Sequence, residues 1–81
     1  MFEDFLLKEC VVMLSVSNNS IQPIVFIGRV LEVDDCLMKI QILESGGNIC
    51  KSSSKLKLIF KPENEVYLNV NNVIAISSLS Y

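Results

Sequence analysis

Residues 28–42 carry the strongest structural signal in the chain, and they run Gly28-Arg-Val-Leu-Glu-Val-Asp-Asp-Cys-Leu-Met-Lys-Ile-Gln-Ile. A glycine inside an aliphatic strand is typical of a sharp bend or a close approach of two backbones, because it has no side chain to pack. The acidic pair Asp34-Asp35 predicts a turn. Beyond it, apolar residues at 38, 40 and 42 alternate with polar ones at 39 and 41, which predicts a strand with one buried and one wet face.

A second stretch has the same plan, and its sequence is Val66-Tyr-Leu-Asn-Val-Asn-Asn-Val-Ile-Ala-Ile, ending at Ile76. Two aliphatic segments flank Asn71-Asn72, a pair of residues that favours turns. Two such β pairs separated by a variable insert predict a mainly β fold, a small and strongly bent antiparallel barrel that is open or closed.

The rest of the chain predicts shorter elements. Phe2–Glu9 places apolar residues near helical spacing and acidic residues in the first turn, so we expect a short N-terminal helix. Alternation of apolar and polar residues predicts an additional strand within the insert. The strands predicted along the chain are Val11–Val16, Ile24–Val33, Leu37–Leu43, Lys55–Lys61, Val66–Val70 and Val73–Ile76.

The composition favours an oligomer. Of 81 residues, 51% are apolar, and a chain of this size has too little interior to hide that much aliphatic surface. We therefore expect part of it to lie in subunit contacts. An all-aliphatic β core is the alternative explanation.

Histidine is missing from the sequence, and the three cysteines (Cys10, Cys36 and Cys50) have no CxxC spacing. Zinc sites and acid–base catalysis depend on such residues, so we expect no metal, no cofactor and no enzymatic activity. The cysteines are expected to be buried, inert structural thiols in a reducing, cytoplasmic setting. The apolar runs are too short to span a membrane, and the acidic Met1–Asp4 is unlike an export signal.

Charge is distributed unevenly along the chain. The net charge is −2, yet residues 45–62 hold four lysines (Lys51, Lys55, Lys57 and Lys61) and no acidic residue, a local charge of +4. The rest holds three basic and nine acidic residues, a charge of −6. These lysines could follow a phosphate backbone, or could form the solvated face of a strand.

Together these features resemble the Sm/LSm family, whose members form rings and bind RNA. The family's first motif has a glycine, alternating aliphatics and then Asp-x-x-Met-Asn, and Asp35-Cys-Leu-Met-Lys fits its end in register. Gly28 lies one residue farther from Met38 than is usual, which implies a one-residue bulge in the turn. Asn69–Val73 fits the frame of the second motif, which ends Arg-Gly-x-x-aliphatic.

The resemblance implies a single SH3-like or Sm-like domain over residues 1–81. Its parts are an N-terminal helix at 1–10, the first motif at 11–44, a variable insert at 45–65 and the second motif at 66–81. In the family, bases are held by the residue before the methionine, the asparagine after it and the arginine of the second motif. Those positions are Leu37, Lys39 and Asn69 here, so the usual uridine pocket is altered.

The last two strands are predicted to lie at the sheet edges, where unpaired main-chain groups invite a partner. In Sm-like proteins these strands pair head to tail between subunits and close a ring. The expected interface residues are Val66, Tyr67, Leu68, Val70, Val73, Ile74 and Ile76. The expected nucleic-acid contacts are Leu37, Lys39, Lys51, Lys55, Lys57 and Asn69.

Two functions follow from the resemblance as hypotheses. The first is a homo-oligomeric ring that binds RNA or single-stranded nucleic acid. The second is a structural or adaptor ring for protein partners, in which the nucleotide pocket is lost.

Isolated aromatics (Phe26, Phe60 and Tyr67) are expected in the core, with base stacking as the alternative. Asp34 and Asp35 are expected to form a turn rather than an acid–base pair.

Overall fold

The computed structural model of the chain describes residues 2–15, 23–46 and 54–79, and these ranges form one antiparallel sheet with three short helices. The strands are β1 (Glu9–Leu14), β2 (Ile24–Val33), β3 (Leu37–Ser45), β4 (Glu65–Asn69) and β5 (Val73–Ser78). The helices are the 3₁₀ helices η1 (Phe2–Phe5) and η2 (Val70–Asn72) and the α-helix α1 (Ser54–Ile59). The mainly β prediction is confirmed.

The order of strands across the sheet is β4-β3-β2-β1-β5. The two strands that follow each other at the end of the sequence therefore lie at opposite edges, separated in sequence only by η2. The sheet is not closed between β4 and β5, so a barrel is not confirmed. Each edge strand has one neighbour in the sheet, β3 for β4 and β1 for β5.

One face of the sheet forms the core. Alternate residues of β1, β2 and β3 are buried, as the sequence predicts for positions 38, 40 and 42. The side chains of Phe2, Phe5 and Leu56 pack against this core from the helices. The buried residues are Cys10, Val12, Leu14, Ile24, Phe26, Val30, Met38, Ile40, Ile42, Phe60 and Leu68.

The backbones of β2 and β3 approach closely at Gly28, which is one of the two alternatives predicted for this glycine. A Cβ atom there would stand 2.9 Å from the main-chain oxygen of Gln41 and 3.2 Å from Ile40 Cγ1. The register of β2 against β3 shifts twice, between Ile27 and Gly28 and between Val30 and Glu32. The second of these shifts lies between Gly28 and Met38, so the one-residue bulge that was predicted in the turn lies within β2 instead.

The N-terminal helix is shorter than predicted. The helical segment ends at Phe5, and Glu9, predicted as its last residue, begins β1. Leu6 forms a parallel bridge with Val30, and Leu7 adopts a positive φ of 62°. The bridge to β2 ends the helix, because Leu7 N–H donates to Val30 O at 2.7 Å and leaves the helical path.

The strand predicted at Lys55–Lys61 is wrong, because Ser54–Ile59 is helical. Leu56 and Phe60 are spaced four residues apart, and a helix places both against the core, where the Phe60 ring lies 5.2 Å from that of Phe26. A strand would have placed Leu58 with them, but Leu58 is exposed. The described residues therefore contain five strands instead of six. Tertiary contact has overridden the local alternation.

Of the three aromatic residues predicted to lie in the core, two are buried and one is exposed. Phe26 and Phe60 are buried as expected, whereas Tyr67 is 63% exposed, so its placement in the core was wrong. Cys10 is buried as expected, whereas Cys36 is exposed in the β2–β3 turn, so its expected burial is wrong; Cys50 lies outside the described residues. Among the described residues, no helix has the length and apolar character needed to cross a membrane.

Candidate nucleic-acid face and sheet edges

The ladder between β3 and β4 brings the three mapped positions together. Leu37 pairs with Asn69, and Lys39 pairs with Tyr67. Between them, Met38 and Leu68 point into the core and are buried. Because side chains alternate along a strand, Leu37, Lys39, Tyr67 and Asn69 share the opposite side of the sheet. We call these four residues the outer β3–β4 face.

Lys39 is held within the molecule. Its Nζ lies 3.2 Å from Glu65 Oε1, 3.5 Å from Glu32 Oε2 and 5.7 Å from the centre of the Tyr67 ring. The hydrogen bond to Glu65, with the charges of Tyr67 and Glu65 and then of Glu32, raises the pKa of Lys39 above its ordinary value of 10.5. Two carboxylates surround one ammonium group, so this part of the face has no excess positive charge.

Asn69 serves the turn between β4 and β5. Its Oδ1 accepts a hydrogen bond from Asn71 N–H at 2.9 Å, which caps η2. The next residue, Val70, donates its N–H to Cys36 O at 3.0 Å and so ties η2 to the β2–β3 turn. The carbonyl oxygen of the Asn69 side chain is therefore used inside the molecule, as an acceptor in the turn.

Asp34 shapes the β2–β3 turn, as predicted. Its Oδ1 accepts hydrogen bonds from Leu37 N–H and Cys36 N–H, both at 2.8 Å. These two bonds, the one from Leu37 foremost, lower the pKa of Asp34 below its ordinary value of 3.8. The carboxylate is thus a structural acceptor that presents Leu37 at the start of β3.

The lysines of the insert lie apart from Lys39. Lys55 and Lys57 are exposed on α1, and Lys61 is exposed just after it. The chain after α1 joins the far end of β3, where Glu63 N–H donates to Ile42 O and Ile42 N–H donates to Asn64 O. Lys51 lies outside the described residues. The predicted contacts therefore fall into two separate groups.

The candidate interface residues also fall into two groups. Leu68 is buried, and Val66, Val70, Val73 and Ile76 are partly buried against the core. Only Tyr67 and Ile74 are large, exposed side chains, at 63% and 55% exposure. Each edge strand therefore has a row of main-chain N–H and C=O groups that face no neighbouring strand. Each also has one large, exposed apolar side chain.

Sequence reasoning missed two features of this region. The first is the position of Tyr67 on the outer β3–β4 face, which period-two alternation against a buried Leu68 could have shown. The second is a cleft of about 340 Å³ where η1, the β2–β3 turn and η2 meet. Its lining residues are Phe2, Glu3, Val33, Asp34, Asp35, Val70 and Asn71.

The fold and the face together define a small, antiparallel, mainly β protein with two open sheet edges. Comparison with known proteins adds no relative, since no family model, no curated protein and no solved structure matches the chain. Within residues 2–15, 23–46 and 54–79, His, Cys, Asp and Glu form no group of three or more that could hold a metal ion.

Proposed function

We propose that this chain is an Sm-like protein that assembles head to tail through β4 and β5 into a homo-oligomeric ring and binds RNA or another single-stranded nucleic acid. The observation that carries the proposal is the strand order, in which β4 and β5 lie at opposite edges of one open sheet. A copy that offers β4 to the β5 of its neighbour extends the sheet, and a constant rotation between copies closes the ring.

The edges are suited to this contact because they carry little that repels a neighbouring strand. β5 contains neither charge nor proline, the two devices that most often protect an edge strand, and the one charged residue of β4, Glu65, is paired with Lys39 of the same chain. Exposed Tyr67 on one edge and exposed Ile74 on the other supply apolar area that the single chain leaves uncovered. On pairing, Ile74 and the edge of the Tyr67 ring lose water, while the face of the Tyr67 ring opposite Lys39 stays open.

Nucleic-acid binding is supported by charge and by an aromatic ring. The three described lysines of residues 55–61 are exposed and have no acidic residue among them. Phosphate contacts by lysine release counterions and provide salt-sensitive affinity. The exposed ring of Tyr67 offers a surface on which a base can stack.

A second candidate function, an adaptor ring for protein partners, is favoured by the pairing of Lys39. A phosphate that approached Lys39 would compete with Glu65 and Glu32, which already neutralise it. Leu37 and Tyr67 beside it are exposed and apolar, a composition suited to a protein interface. In this function the chain still assembles into a ring, but the ring binds protein partners and has lost the nucleotide pocket.

Fluorescence anisotropy with labelled polyuridylate at low and moderate salt tests nucleic-acid binding. The proposal predicts binding that weakens as salt rises, and a clear loss of affinity in the double variant Lys55→Gln/Lys57→Gln. Lys8→Gln is the matched control, since this lysine lies outside the basic segment. Absence of salt-sensitive binding by an intact oligomer would overturn the nucleic-acid function and leave the adaptor function.

The variants Tyr67→Ala and Asn69→Ala test whether the outer β3–β4 face contacts bases, and Lys39→Gln is their control. If the outer β3–β4 face contacts bases, Tyr67→Ala weakens polyuridylate binding while Lys39→Gln changes it little, because Lys39 is already neutralised. If the ring is an adaptor, Lys39→Gln and Asn69→Ala leave both assembly and partner binding intact. Mass measured by light scattering monitors assembly in every variant.

A further inference from the structure

Helix α1 exposes apolar side chains that the fold does not use. Leu56 and Phe60 pack against the core, so the opposite side of the helix faces solvent. Leu58 is 70% exposed and Ile59 is 46% exposed. Two adjacent large aliphatic residues at the surface of so small a domain mark a surface suited to a partner.

Lysines surround this apolar pair. Lys55, Lys57 and Lys61 are exposed, and residues 54–62 contain no acidic residue. Any partner that covers Leu58 and Ile59 must also receive three positive charges. The complementary surface is therefore apolar at its centre and rimmed with carboxylates.

The chain itself carries such a surface. The cleft between η1 and η2 is lined by the apolar side chains of Phe2, Val33 and Val70 and by three carboxylate residues, Glu3, Asp34 and Asp35. Its volume of about 340 Å³ is in the range of ligand-sized pockets and is sufficient for one or two aliphatic side chains. Asp34 already accepts two turn hydrogen bonds through Oδ1, and Glu3 also has a partner within the molecule, so a lysine of a second copy would share these two carboxylates with the partners they already have.

The two surfaces cannot meet within one molecule. The cleft includes Asp34 and Asp35 at the β2–β3 turn. Helix α1 belongs to the other end of the same hairpin, where Phe60 O accepts from Ser45 Oγ and the Phe60 ring contacts Phe26 near the start of β2. Surfaces at opposite ends of one body pair only between copies.

We propose that a second copy of the chain inserts Leu58 and Ile59 of α1 into the cleft between η1 and η2, with Lys55, Lys57 and Lys61 facing Glu3, Asp34 and Asp35. The contact is heterologous and joins copies end to end along the β2–β3 hairpin. It uses neither edge strand, so it is independent of the β4–β5 contact and can link single chains or complete rings. It uses the same lysines as the proposed phosphate contacts, so one copy of α1 engages either nucleic acid or a second copy, and polyuridylate should reduce the salt-sensitive association.

A charge-swap experiment tests the pairing directly. Variant A carries Lys55→Glu and Lys57→Glu, and variant B carries Glu3→Lys and Asp35→Lys. Asp34 is left unchanged because its carboxylate holds the β2–β3 turn. Sedimentation velocity at low and high salt measures the mass of A, of B and of their equimolar mixture, and circular dichroism monitors folding.

The expected result is that the wild type shows a salt-sensitive increase in mass, that A and B each lose it, and that the mixture regains it. Leu58→Gln also abolishes it, whereas Leu7→Gln, at a leucine of equal exposure outside the cleft and α1, does not. The proposal is overturned if folded A or B associates as the wild type does, or if the mixture of A and B shows no increase in mass over A and B alone.

Failure of this contact is distinguishable from failure of the ring. The edge variant Tyr67→Ala/Ile74→Arg removes the salt-resistant assembly expected for β4–β5 pairing. If the end-to-end contact is correct, this variant retains the salt-sensitive association, because charge–charge contacts at a surface weaken with ionic strength while main-chain pairing and apolar burial do not. A variant that has lost both kinds of assembly contradicts the independence of the two contacts.

Discussion

The central hairpin β2–β3 and the edge strands β4 and β5 use similar residues in different surroundings. In the hairpin, alternate side chains are fully buried, and the two strands pair along almost their whole length. In the edge strands, only Leu68 is buried and large apolar side chains stay exposed. The hairpin and the neighbouring β1 contribute most of the buried core of the single chain, whereas the edges carry apolar surface and main-chain groups that a single chain leaves uncovered.

The largest expected effect comes from shortening an isoleucine in each region. Ile40 is fully buried in β3, so Ile40→Ala should reduce the free energy of unfolding by about 3 kcal/mol through lost burial and the cavity left behind. Ile74 is more than half exposed in β5, and Ile74→Ala should change the free energy of unfolding by about 0.5 kcal/mol or less under conditions in which the chain is a monomer. Urea unfolding measures both. Equal losses would show that the edge belongs to the core of the single chain.

Gly28→Ala should give the next largest effect, because the added methyl group meets the main-chain oxygen of Gln41 and two packed side chains. The backbones of β2 and β3 must separate, at a cost of about 1–3 kcal/mol. Ser77→Ala, at an exposed position of β5, is the control and should be nearly neutral. If Gly28→Ala unfolds at the same urea concentration as the wild type, the close approach of the strands is wrong.

The turn that joins the hairpin should give a smaller effect, and one that depends on pH. The pKa of Asp34 is lower in the folded chain than its ordinary value of 3.8, so its ionised form stabilises the fold above that pH. This stabilisation is lost as the pH falls through the lower, folded-state pKa. Asp34→Ala should therefore lower the urea midpoint at pH 7, and its difference from the wild type should shrink in acid.

Asp35→Ala is the control for that series, because Asp34 is the residue whose carboxylate accepts the two turn hydrogen bonds. Asp34→Asn should lose less stability than Asp34→Ala, since its amide oxygen can still accept them. A loss in Asp34→Ala that stays constant from pH 7 into acid would contradict the role assigned to the carboxylate.

The smallest effect is expected at Lys39, where the edge strand meets the hairpin. Its pKa is raised above 10.5, so its ion pairs stabilise the fold fully below that pH and cease to do so as the pH rises through the folded-state pKa. Lys39→Gln should lower the urea midpoint slightly at neutral pH, and high salt should reduce the difference. A double-mutant cycle with Glu65→Gln measures the coupling. A coupling of zero at low salt would show that the two side chains do not interact.

How far the sequence predicts this structure differs between the same two regions. The bounds of β2, the Asp34 turn and the buried face of β3 follow from alternation and turn residues alone, because each of these signals is local. Tyr67 could have been placed outside by the same alternation. Its aromatic character suggested the core, and the strand register against Lys39 decided otherwise.

The insert could not be predicted from its own pattern. In Lys55–Lys61 the alternation of lysine and apolar residues fits a strand, yet the contact of Phe60 with Phe26 selects a helix that buries Leu56 and Phe60 together. The cleft between η1 and η2 likewise combines residues from three distant parts of the chain. Such features depend on tertiary contacts, which a single sequence does not contain.

The most direct test of the edge-pairing account is the mass of the purified protein at high salt over a wide range of concentration, determined by light scattering. The account predicts one discrete species several times heavier than the 9.1 kDa chain, reduced to a folded monomer by Tyr67→Ala/Ile74→Arg. A wild-type protein that remains a 9.1 kDa monomer at every concentration would contradict it.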